Sequence, residues 1–285
     1  MEVKKQFKSL QLLKLLGFYA KLDLMWLLRD TKIAVFAILS ESIAALASIS
    51  SIFLLAMRFK GIGNMSHYEV LFMLGYVTSV FGVFNTFCSM NNVGHISRRI
   101  GRGQFEHMFI QPLSMPIQLI SEGFIPFTGS STLVVGISIT CIALSKLAVC
   151  VTWWWVLSFI GSLLVSIVII LSLSYLFSST AFYAPVACEE ISMLLIDNLS
   201  SLTKYPLTGM PKFIVYPLIT VLPYGLLGWF PSMTLLGKQP LALPNIFPAL
   251  VALTLFIITY FVFKKGFNHY VKTGANRYKD MGHRR

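Results

Sequence analysis

Glu189 and Glu190 stand side by side in an otherwise apolar stretch, and adjacent carboxylates are a possible acid–base pair. Intramembrane proteases of the EExxxR type use such a pair, but they need an arginine where this chain has Leu194. Gly101-Arg102-Gly103 has neither a preceding strand nor a third glycine, so it is not a dinucleotide loop. There is no GxxxxGK[ST], no GxSxG and no HExxH, so the chain has no phosphate cradle, nucleophile elbow or zinc helix of its own. Cys88, Cys141, Cys150 and Cys188 lack metal-ligand spacing and read as small hydrophobes in helices. The five histidines, at 67, 95, 107, 269 and 283, fall outside the apolar runs. The expectation is a non-catalytic chain with no cofactor.

Glu41 is the remaining candidate. It lies inside a long apolar run, where an ionised side chain costs about 2.5–3.5 kcal/mol at the helix centre on insertion scales. Such a residue faces protein or water rather than lipid. It either lines a path for a cationic or amphipathic solute or is a carboxyl bonded to a neighbouring helix.

The elements that would hold these residues follow from composition. Of the 285 residues, 56% are hydrophobic and only 12% charged, well below the roughly 25% of soluble domains. Lipid is therefore the expected solvent. The net charge of +12 does not argue for nucleic acid, because the basic residues sit at the ends of apolar runs, where membrane orientation places them.

Taking about 20 apolar residues per crossing, the expected spans are 33–57, 70–90, 117–144, 151–177, 181–202 and 243–263. The fifth is the weakest, since it contains Glu189, Glu190 and Asp197; the third has a kink site at Pro126. Residues 1–31 read as an amphipathic helix, with Lys4, Lys8, Gln11, Lys14 and Lys21 on one stripe and Leu12, Leu13, Leu16, Tyr19 and Leu27 around the rest. A helix of this kind lies in the headgroup region. Residues 205–237 are apolar but hold five prolines and four glycines, which suits a re-entrant hairpin better than a straight span. A span over 213–230, with the fifth segment on the surface, is the alternative. Seventeen of the 23 Lys and Arg lie in 1–32, 91–116 and 264–285, so both termini and the 91–116 loop are expected in the cytoplasm.

That loop reads as a short amphipathic helix. Ile96, Ile100, Met108 and Phe109 form one face and Arg98, Arg99 and Arg102 the other, with Gly101 and Gly103 bending it and Pro112 and Pro116 ending it. Carried on two spans, it suits docking into a cytoplasmic partner that pulls on both.

The arrangement resembles the permease subunit of type-2 ABC exporters, and in particular a bacterial subfamily of them. The residues carrying the likeness are Ser97-Arg98-Arg99-Ile100, the run Gly103-Gln104-Phe105-Glu106-His107-Met108-Phe109-Ile110-Gln111-Pro112-Leu113, and Tyr205-Pro206-Leu207. They continue through Pro223, Pro231, Leu235-Leu236-Gly237 and the ending from Gly266 through Tyr270 to Gly274-Ala275-Asn276. Two positions depart from the pattern: Gln111 replaces a usual basic residue and Phe105 a usual leucine.

The resemblance implies an all-α integral membrane protein forming one permease domain over 1–285. It would have an elbow helix (1–31), six spans, a cytoplasmic coupling loop (91–116), an extracellular re-entrant region (205–237) and a basic cytoplasmic tail (264–285). It implies ABC ATPase partners, a second permease that is identical or related, and a place in a bacterial cytoplasmic membrane. Arg98, Arg99, Arg102, Phe105, Phe109 and Pro112 are then the expected ATPase-coupling residues, and Glu41 the substrate-path candidate. An ion-coupled transporter or channel using Glu41, Glu189, Glu190 and Asp197 is the competing expectation, and a membrane scaffold that carries nothing is a third.

Overall fold

A computed structural model describes residues 9–88, 96–111, 113, 115–121, 123–238 and 243–274. Pro112, His95, Lys4, Lys8 and the tail beyond Gly274 lie outside the described residues, as do the side chains of Gln11 and Pro116.

Among the described residues the chain is helical, with no strand. The order is α1 (Ser9–Arg29), α2 (Thr31–Arg58), α3 (His67–Cys88), α4 (Ile96–Gly101), α5 (His107–Ile110), α6 (Met115–Ser121), α7 (Ser131–Lys146), α8 (Trp153–Ser178), α9 (Ile191–Leu202), α10 (Lys212–Thr220), α11 (Trp229–Leu235) and α12 (Phe247–Thr273). A short 3-10 turn, Ser179–Phe182, extends α8, and another, Tyr224–Leu226, precedes α11.

Four of these helices are long and apolar enough to cross a membrane: α2, α3, α8 with its 3-10 extension, and α12. A fifth candidate is the pair α10 and Tyr224–Leu235, bent by 74° at its break. The continuous third and fifth spans expected from hydropathy do not form. Residues 117–144 divide into α6 and α7 around Gly123, Pro126 and Gly129. Pro126 cannot donate to a helical carbonyl, and the backbone it disrupts bonds elsewhere. The Ile125 N–H donates to the Thr86 carbonyl at 2.9 Å, and Thr86 Oγ1 donates to the Gly129 carbonyl at 3.2 Å. The 16 residues of α7 reach about 24 Å, short of the roughly 30 Å hydrocarbon core. In 181–202 only Ile191–Leu202 is α-helical, because the chain turns at 183–190 and keeps Glu189 and Glu190 at the head of α9.

The core is built on α3, which is buried along most of its length between α2, α7, α8 and α11. Its closest partner is α7, and small residues make the approach possible. Gly136 lies against the backbone of Ser79, Gly82 against that of Leu133, and Gly75 against Thr140. α8 and α12 form the second tight pair, with Thr259 Oγ1 donating to the Ser172 carbonyl at 2.9 Å. α11 wedges between α3 and α8, and Trp155 Nε1 donates to the Leu235 carbonyl at 2.9 Å. Trp153 and Trp154 remain exposed. α2 leaves most of its apolar surface uncovered by the rest of the chain.

α1 and α2 meet at Asp30 with a break between them. The docking point of α1 is Asp23, which is buried although it interrupts the hydrophobic run. It accepts hydrogen bonds from the N–H groups of Phe127 (2.8 Å) and Thr128 (3.2 Å) and from Thr128 Oγ1 (2.6 Å). A carboxylate collecting orphan donors just before α7 also meets the positive end of that helix.

Candidate functional site

The basic loop after α3 folds back onto the turn before α9. α4 buries Ile96 and Ile100, so its arginines face outward from the core, as the amphipathic pattern predicts. Across from them stand Glu189 and Glu190. The Arg98 guanidinium straddles Glu190: Nε is 2.9 and 3.2 Å from the two carboxylate oxygens, and Nη2 is 2.6 Å from Oε2. Arg102 Nε lies 2.6 Å from Glu189 Oε1. This fork geometry fixes direction as well as attraction. The bond to Glu190 raises the Arg98 pKa above its ordinary value; slight burial opposes that shift. Arg99 is half-buried in the same helix.

Beneath the ion pairs is a hydroxyl contact. Ser97 Oγ lies 2.6 Å from Ser192 Oγ, donates to the Glu189 carbonyl at 3.0 Å, and accepts from the Ser192 N–H at 3.2 Å. Gly101 makes the approach possible, since a Cβ there would sit 2.7 Å from the Pro185 carbonyl oxygen. The loop and the 183–190 turn are thus one packed unit.

Its second half turns at Gly103, which has φ +69°. Phe105 is then fully buried, not presented to a partner. Its ring lies 5.5 Å from Phe182, 5.9 Å from Tyr270 and 6.2 Å from Phe267, edge-on to each. The departure from leucine at this position therefore builds an aromatic anchor between loop and α12. Phe109 packs one face on Phe267 at 5.7 Å and stays 46% exposed, and Ile110 is 81% exposed. Glu106, His107 and Gln111 complete the exposed tip. The Gln118 side-chain amide in α6 donates to the carbonyls of Met108 (3.0 Å) and Leu113 (2.7 Å), which ties the tip to the next element.

Glu41 is remote from this unit. Its Oε2 accepts a 2.6 Å hydrogen bond from Ser131 Oγ at the start of α7. It also lines a cleft of about 290 Å³ with Thr78, Asn85, Thr132, Asp197 and Lys204. Lys204 Nζ donates to Ser48 Oγ at 2.8 Å. Asp23, Glu189, Glu190 and Lys204 make cross-chain contacts that the sequence reading did not assign to them. For the glutamates the available signal was charge complementarity: the only adjacent acidic pair answers the densest arginine cluster.

Among protein families, the model described as ABC-2 family transporter protein matches residues 42–274, which include the loop, the carboxylate pair and α12. No curated protein and no solved structure matches the chain.

Proposed function

Because the chain belongs to the ABC-2 family of transporter proteins, being the membrane-spanning permease component of an ABC transporter, we propose that it forms one half of an exporter's membrane pathway, driven by ATPase subunits bound at the 96–111 loop. The observation that supports this most is the composite unit of loop and 183–190 turn. Its exposed tip of Phe109 and Ile110 suits an apolar pocket on a partner, while Arg98, Arg102 and Phe105 hold the tip rigidly to α9 and α12. A motor pulling on this tip moves α9 and α12 together. Arg99 and Pro112 join the coupling set by the family resemblance.

In this reading both termini face the cytoplasm of a bacterial cell, and α1 is the interfacial elbow. α7 and α9, each with the turns before it, complete six crossings with α2, α3, α8 and α12. The bent α10–α11 pair re-enters from outside. A second permease, identical or related, covers the apolar surface of α2. Substrate, amphipathic or cationic, passes the cleft containing Glu41 and Asp197. The permease performs no bond chemistry; it offers states of different substrate affinity that the motor biases.

The ion-coupled alternative has less support, since two of its four carboxylates, Glu189 and Glu190, are engaged by arginines. The experiment is co-purification with co-expressed ABC ATPase subunits from the same genome, comparing the unmodified chain with Phe109→Asp and Ile110→Asp. Loss of association with the folded permease retained is expected. Undiminished association and transport would reject the docking role.

A further inference from the structure

α8 and α12 pack against each other, and a groove of about 600 Å³ runs along their seam beside Met115 and Leu119 of α6. That volume is within the usual 300–1,000 Å³ range of ligand sites. Its walls are Val168, Leu171 and Tyr175 on α8 and Phe256 and Phe263 on α12. Ser172 and Thr259 also line it, bonded to each other across the seam, and the charged and amide side chains, Lys264 and Asn268, stand together at one end. From Phe256 to Asn268 the groove follows α12 for about 18 Å, against a single hydrocarbon leaflet of about 15 Å. The apolar run of α12 ends at Phe263, so Lys264 marks headgroup depth. Its ammonium rests over the Tyr260 ring at 5.7 Å and has no carboxylate partner among the described residues.

We propose that this groove is a binding site for one anionic phospholipid, with an acyl chain lying along the α8–α12 seam and the phosphate on Lys264 and Asn268. The occupant follows from charge complementarity. An apolar slot one leaflet long, closed by a cation at headgroup depth, matches an acyl chain ending in a phosphate monoanion. A neutral chain would leave Lys264 unanswered, and a cationic amphiphile would be repelled. Lys265 and Lys272 on the same helix end add to the attraction for anionic headgroups. The site also touches the docking unit, because Phe267 lines the groove and packs on both Phe105 and Phe109.

The test is native mass spectrometry of the purified full chain, titrated separately with dioleoyl phosphatidylglycerol, dioleoyl phosphatidylcholine and dodecylammonium. Phosphatidylglycerol should bind about tenfold more tightly than phosphatidylcholine, and Lys264→Gln should remove about fivefold of that preference, as expected for one basic residue at the surface. Lys264→Arg should restore it. Leu171→Trp, which fills the slot and leaves every charge in place, should weaken binding of both lipids; Leu171→Phe serves if the larger residue prevents folding. Equal affinity for the two phospholipids would overturn the proposal. So would phosphatidylglycerol binding insensitive to the filling variant, or tighter binding of dodecylammonium. The result is independent of whether an ATPase docks on the loop.

Discussion

Arg98 and Glu190, 92 positions apart in sequence, are joined through three nitrogen–oxygen contacts of 2.6–3.2 Å. Both side chains are a third or more exposed, at 33% and 41%. Exposed pairs typically contribute under about 1 kcal/mol, so the pair matters for direction more than for stability. Arg98→Glu should melt close to the unmodified protein yet uncouple partner ATPase turnover from transport. Arg98→Glu with Glu190→Arg should recover most of the coupling, while either single reversal should not. The measurement is a double-mutant cycle on transport per ATP hydrolysed in the reconstituted complex. Recovery that fails while both chains remain assembled would separate the ion pair from coupling.

Phe105 and Phe109 should divide by phenotype. Phe105 is buried against Phe182, Phe267 and Tyr270, so Phe105→Ala should cost about 3–5 kcal/mol, the usual range for emptying a buried aromatic site. Phe109→Ala should shift the melt little and weaken ATPase binding instead. Thermal unfolding in detergent and pull-down with the ATPase distinguish the two.

The long apolar runs of α2, α3, α8 and α12 were legible in the sequence because hydropathy alone specifies a crossing helix. So was the amphipathic phase of the loop, with Ile96 and Ile100 in and the arginines out. The breaks were not. Pro126 marked a kink, but the interruption between α6 and α7 depends on Thr86 and Asp23, 40 or more positions earlier, accepting and donating the bonds that a helix would otherwise make. Likewise Glu189 and Glu190 weakened the fifth span in a hydropathy reading, yet nothing local says that they belong to Arg102 and Arg98. Phe105 was expected at the ATPase contact because the family resemblance implies it, and a motif position does not say what covers a side chain; the C-terminal half of α12 covers this one.

Asp23 gives a sharper test of the α1 attachment. Asp23→Ala leaves the Phe127 and Thr128 N–H groups without their acceptor, a loss of about 1–3 kcal/mol for an unsatisfied buried donor. Asp23→Asn keeps one carbonyl acceptor and should lose less. Limited proteolysis at Lys14 and Lys21 should quicken in the order unmodified, Asn, Ala. An unchanged rate in Asp23→Ala would mean that α1 is held by its apolar face alone.

The α3–α7 seam predicts a steric limit. A methyl group at Gly82 would overlap the Leu133 backbone, and the facing helix cannot retreat without opening the core around α3. Gly82→Ala should therefore cost about 1–3 kcal/mol or more, the usual range for overpacking, and Gly82→Val should abolish the monodisperse folded species. Gly161 has open space around it, so Gly161→Ala is the matched control and should be close to neutral. Size-exclusion profiles and thermal melts of the three variants check the expectation.

Glu41 can be both a structural acceptor and a charge on the substrate path, and one substitution separates the roles. Gln at this position keeps an oxygen for the Ser131 hydroxyl, 2.6 Å away, but removes the negative charge from the cleft shared with Asp197 and Lys204. Glu41→Gln should therefore fold with an unchanged melt. If the charge acts on a cationic amphiphile at about 1 kcal/mol, transport should fall about fivefold. Glu41→Ala should show the same transport loss together with a lower melting temperature, because the Ser131 hydroxyl loses its acceptor. Full transport in the Gln variant with destabilisation confined to the Ala variant would make Glu41 a helix-joining residue and move the substrate path elsewhere.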